Sequence, residues 1–111
     1  MKAIFNGRRY DTDTAILIAM TDNADGQTTR RDFRYWEAGL YKTPRSGVYF
    51  LAGRGGPMTI FARKVGVSAR EGGERIIPFE SREDALAWAQ EHLADQPDVI
   101  EREFGDLIAD A

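Results

Sequence analysis

Apolar and polar positions follow two periods along this chain, and the period marks each element. Lys2 to Phe5 reads as a short strand closed by Asn6-Gly7, a pair that favours the left-handed backbone of a tight hairpin turn. Arg8-Arg9-Tyr10 returns as a second short strand. Asp11, Thr12 and Asp13 are suited to cap a helix, whose expected body is Thr14 to Met20, with Ala15, Ile16, Leu17, Ile18 and Ala19 as its apolar content. That segment is apolar nearly all round, so a buried strand is the competing expectation. Thr21 to Gln27, rich in Asp, Asn and Gly, is a loop.

The clearest strand signal follows. Phe33, Tyr35 and Glu37 alternate with Arg34, Trp36 and Ala38, the run continues through Leu40 and Tyr41, and Thr43-Pro44-Arg45-Ser46-Gly47 turns it into Val48-Tyr49-Phe50-Leu51. Two β-branched and aromatic runs joined by a short Gly-containing loop predict a hairpin. Gly53-Arg54-Gly55-Gly56-Pro57 ends it, and Pro57 suits the first turn of a short helix over Met58 to Val65, stopped by Gly66. Arg75 to Phe79 is a strand, placed at an edge by Pro78, which has no N–H to give a ladder.

Ser81-Arg82-Glu83-Asp84 resembles a capping box, and behind it Ala85, Trp88, Ala89 and His92 share one face at helical spacing. Pro97 is expected to break this helix, and Asp98 to cap a last one carrying Ile100, Phe104, Leu107 and Ile108 as an apolar stripe. The sum is an α+β fold: a small antiparallel sheet with a central hairpin and helices packed mainly on one face. All 111 residues form one domain, an α+β core over 1–94 followed by an acidic C-terminal helix over 95–111.

Composition agrees with a globular chain, at 42% hydrophobic and 30% charged residues, too apolar for disorder. No apolar run approaches the roughly 20 residues that cross a bilayer, and the first residues lack a signal-peptide core. With no cysteine, disulfides, thiolate nucleophiles and cysteine zinc sites are excluded together, and the expected setting is the cytoplasm. The net charge of −3 is unevenly spread: residues 1–56 carry +3 and residues 57–111 carry −6. From Asp95 onward, Asp95, Asp98, Glu101, Glu103, Asp106 and Asp110 face only Arg102. Such a pole repels nucleic acid and attracts basic surfaces, including those of proteins that hold nucleic acid.

Candidate chemistry is sparse. His92, the single histidine, reads as a core-edge residue, and Ser46, Ser68 and Ser81 lie in turns without a nucleophile-elbow context. Aligned on Gly26, the loop Thr21 to Asp32 puts Thr21 where a calcium loop needs Asp and Asp32 where it needs the longer Glu. The glycines at 53, 55 and 56 lack the Walker and Rossmann spacings, and a tight chain reversal accounts for them. No acid, base and nucleophile set can be named, so neither an enzyme nor a cofactor is expected. A weaker alternative is a nucleic-acid surface built from Arg30, Arg31, Arg34 and Arg54 with Tyr35 and Trp36. Strand alternation argues against it, since Tyr35 and Trp36 must point to opposite faces.

Tyr10-Asp11-Thr12-Asp13-Thr14-Ala15, Leu40-Tyr41-Lys42-Thr43, Tyr49-Phe50-Leu51, Gly53-Arg54-Gly55-Gly56 and Ile76-Ile77-Pro78 before the helix with Trp88 together resemble a family of small uncharacterised proteins common on phages and other mobile elements of bacteria. The resemblance covers roughly residues 2–93, and Arg54 stands where many relatives carry an acidic residue. It brings no catalytic residues. It implies the setting of host-defence inhibitors such as anti-CRISPR proteins. The expected partner is therefore a basic protein surface, such as a CRISPR effector subunit. The side chains expected to meet it are Asp95, Asp98, Glu101, Glu103, Asp106 and Asp110.

Overall fold

A computed structural model describes residues 1–25 and 28–111. Strands β1 (Lys2–Phe5) and β2 (Arg8–Asp11) form a separate antiparallel hairpin. Its turn is held by positive φ at Asn6 (52°) and Gly7 (73°), the backbone that Asn-Gly tolerates best.

The main sheet contains β3 (Ile16–Asp22), β4 (Trp36–Lys42), β5 (Tyr49–Gly55) and β8 (Gly73–Pro78) in that spatial order, every pair antiparallel. Between β5 and β8 the chain makes a small hairpin of β6 (Arg63–Val65) and β7 (Ala69–Glu71). Two helices follow, α1 (Arg82–His92) and α2 (Pro97–Phe104), and a 3-10 turn over Gly105–Leu107. The architecture is α+β, as the hydrophobic pattern predicts.

Four local expectations are corrected. Thr14–Met20 is not a helix. The Asp11 carboxylate accepts the Asp13 N–H and the Asp11 carbonyl accepts the Ala15 N–H, which closes a turn that leads into edge strand β3, where β-branched Ile16 and Ile18 are well suited. Met58–Val65 is not a helix either. Thr59 binds the Gly56 carbonyl through both its N–H and its hydroxyl, tightening successive turns, and Gly66 at φ 70° reverses the chain between β6 and β7 instead of ending a helix.

The strand expected from Phe33 begins only at Trp36, because the Asp32 carboxylate accepts the Arg34 N–H and bends residues 32–34. Pro97 occupies the first helical position of α2 and Gln96 its N-cap. Proline is suited to that position because its missing N–H would have no intrahelical partner there. The remaining helix start is as expected, with the Ser81 hydroxyl accepting the Asp84 N–H at 3.1 Å.

Helices α1 and α2 cover one face of the sheet. Ala85, Ala89 and Leu93 of the first helical segment and Phe104 of α2 are buried with Ala19, Leu40, Tyr49 and Leu51 of the sheet. The acidic C-terminal segment therefore supplies a central residue of the core. The opposite face is covered in part by the N-terminal hairpin, where Tyr10 packs edge-on to Phe50 beside Ala52 and Ile76. The Phe61 ring folds over the helix side of the sheet against Gly53, where an added Cβ would lie 2.5 Å from the Glu37 carbonyl oxygen and 2.7 Å from the ring.

Two substitutions measure this packing by urea denaturation. Phe104→Ala is expected to cost roughly 3–5 kcal/mol, the usual loss for a buried aromatic. Gly53→Ala is expected to cost roughly 1–3 kcal/mol through overpacking against backbone that cannot move aside.

Candidate functional site

Residues 80–111 carry ten carboxylates against Arg82 and Arg102, a net −8, while residues 1–79 carry +5. The division follows the architecture, because 80–111 is the helical layer. Most of its apolar side chains are committed to the sheet, so its carboxylates, Glu103 excepted, fall on the solvent side.

The six acids expected to meet a partner divide into two groups. Glu103 and Asp106 are engaged within the chain. Arg82 at the start of α1 grips Asp106 through two bonds of 2.7 Å and donates a third to the Glu103 carbonyl. This pairing holds the Asp106 carboxyl below its ordinary pKa and ties the start of α1 to the end of α2. Glu103 has only 12% of its side chain exposed. It accepts the Tyr49 hydroxyl at 3.0 Å and lies 3.9 Å from the Lys42 ammonium and 3.3 Å from Arg102. The expectation that these two face a partner is corrected on that ground: their charge is already balanced at home. Asp95, Asp98, Glu101 and Asp110 are exposed and, among the described residues, make no ion pair or side-chain hydrogen bond.

Two acids missed from the sequence, Glu83 and Asp84 on α1, join this second group, and Glu91, also exposed on α1, lies 3.7 Å from the His92 imidazole. The available signal was their spacing away from the Ala85–Ala89 stripe, the same periodicity that located the helix.

The arginines of the alternative surface are largely consumed. Arg34 is held by the Asp32 carboxylate through bonds of 3.0 and 2.9 Å, which pull Asp32 down to about 2. Strand register places Arg54 directly between Glu37 on β4 and Glu74 on β8, and it bonds Glu37. Arg30 lies 3.9 Å from the same Glu37. Arg31 is the member of the four with no acidic partner among the described residues. The Tyr35 hydroxyl, the largest influence on Glu37, donates to it at 2.7 Å and with Arg54 lowers its pKa. Tyr35 and Trp36 do diverge: Tyr35 lines the roughly 440 Å³ cavity around this network, and Trp36 faces α1, against Trp88 and His92.

Other chemistry finds no support in the geometry. The glycines at 53, 55 and 56 lead into turns rather than a helix N-terminus, so nothing there forms a phosphate cradle of the helical kind. Gly26 and Gln27 of the loop compared with a calcium site lie outside the described residues. Among the described residues no three acids, histidines or cysteines cluster around a point where a metal could bind. No helix there is long and apolar enough to cross a membrane.

Burial, and then the Glu103 hydrogen bond, push the Tyr49 phenol from 10.0 up to about 12. The folded state thus keeps a proton that the unfolded chain loses first, so stability is intact below pH 10 and falls as pH rises toward 12. Tyrosinate absorbance and urea midpoints measured across that interval are expected to show the fall, and Tyr49→Phe is expected to flatten it. No family model, curated protein or solved structure matches this chain.

Proposed function

We propose that this chain is a non-catalytic inhibitor of host defence, an anti-CRISPR type of protein, that binds a basic, nucleic-acid-handling effector through its acidic helical layer and blocks nucleic-acid binding. One observation carries the reading: Asp95, Asp98, Glu101 and Asp110 stand exposed without internal partners on a layer of net −8. Motifs resembling those of phage and mobile-element proteins narrow the partner to a defence effector.

The mechanism is competition. Phosphate binding to a cationic groove is driven largely by release of condensed counterions. Carboxylates carried on this packed layer, Asp98 and Glu101 on α2 and Asp95 and Asp110 flanking it, can occupy the same Lys and Arg side chains without the backbone that bears Asp95, Asp98 and Glu101 having to be ordered on binding. Nucleic-acid binding through Arg30, Arg31, Arg34 and Arg54 would meet the Asp32 and Glu37 carboxylates beside three of those guanidiniums, which lowers the net positive charge of that surface.

Competition electrophoresis with a purified CRISPR effector and its labelled target DNA tests this. The chain is expected to displace DNA, with potency falling as salt rises. Changing Asp95 and Asp98 to Asn, Glu101 to Gln and Asp110 to Asn together is expected to weaken displacement by roughly tenfold or more. Unchanged potency of the fourfold variant, or a direct shift of DNA or RNA by this chain alone, would overturn the proposal.

A further inference from the structure

Beside α1 the turns that precede β6 leave a groove of about 290 Å³. Its floor is aromatic. His92 lies 5.0 Å from both Trp36 and Trp88, and the two indoles are 6.4 Å apart, as are Trp36 and Phe61. Its rim carries Met58 and Ile60, 66% and 55% exposed. Phe33, joined to Met58 by a backbone hydrogen bond, is also 66% exposed. Half-buried tryptophans with exposed methionine and isoleucine around them have the composition of an interface anchor, not of a solvated surface.

The charges around the groove select its occupant. On α1, Asp84 stands four residues before Trp88 and Glu91 three after it, so both carboxylates share the helix side that carries the indole. Both are exposed. Arg34, also on the rim, is neutralised by Asp32. Arg70 and Arg75, which donate to the Thr59 and Ile60 carbonyls, are not among the side chains that line the groove.

We infer that this groove is a docking site for an apolar side chain presented by a basic, amphipathic segment of a partner protein, with the cationic residues of that segment lying along Asp84 and Glu91 of α1. The inference rests on the proposed reading, that the partner is basic, and gives it an anchor. Carboxylates alone supply steering and salt-sensitive attraction, whereas a buried side chain among aromatic rings supplies most of the resistance to dissociation.

Both tryptophans of the chain line this groove, so the intrinsic tryptophan fluorescence of the folded chain reports on it. Titration of the intact chain with a synthetic amphipathic Leu/Lys peptide is expected to give a saturable blue shift. A peptide of equal charge with Ala for every Leu is expected to bind about tenfold more weakly or worse. Ile60→Asp and Met58→Asp, at exposed positions that leave the core untouched, are expected to weaken the Leu/Lys peptide by at least about tenfold. Asp84→Asn with Glu91→Gln is expected to weaken it by several fold and to flatten its salt dependence.

Equal binding of the two peptides, wild-type binding by both rim variants, or indifference to the Asp84 and Glu91 changes would each overturn the inference. So would a blue shift that grows with protein concentration in the absence of peptide, which would make a second copy the occupant. Failure of the proposed function reads differently: the peptide binds as described, yet no effector loses its DNA.

Discussion

Burial of Phe104, Leu93, Ala89 and Ala85 against Leu40, Tyr49 and Leu51 is the constraint on which the rest of this molecule depends. The two helices are short, and isolated helices of such length are marginal in water, so their stability must come from the sheet. Once their apolar side chains are committed, most of the remaining positions of the helical layer face solvent, and in this chain every acid among them except Glu103 is exposed. The charge asymmetry of the protein thus follows from amphipathic packing rather than being a feature added to it.

The same packing decides which charges are free. Arg82 closes the helix pair by gripping Asp106, and the Tyr49 hydroxyl reaches Glu103 from inside the core. A buried phenol needs a hydrogen-bond acceptor, and Glu103 meets that need where its remaining charge is balanced by Lys42 and Arg102. On the other side of the sheet, cross-strand register surrounds Arg54 with glutamates. Within residues 80–111 both arginines are paired, so the charges left over in that layer are acidic, and the aromatic groove at the edge of α1 lies alongside part of them.

Much of the fold was legible because local chemistry and global packing agree at those places. Asn6-Gly7 encodes its turn, Ser81 encodes a helix start, and the runs around Leu40 and Phe50 encode the central hairpin. Misreadings fell where local signals conflict. Thr14–Met20 has capping residues before it and β-branched residues within it, and the vacant edge beside β4 settled the matter in favour of a strand. Over Met58–Val65, the pull of Phe61 into the core beside Gly53 outweighs a helical start at Pro57.

By itself the sequence determined the element types with strong periodicity, the single α+β domain and the concentration of carboxylates at its end, because these depend on neighbours within a few positions. Only the tertiary structure decided which carboxylates remain free, which arginines are already paired, and that Trp36 and Trp88, 52 positions apart, meet around His92. Pairing of charges and rings depends on strand register and on how helices cross a sheet, and neither distance is written into any local stretch of chain.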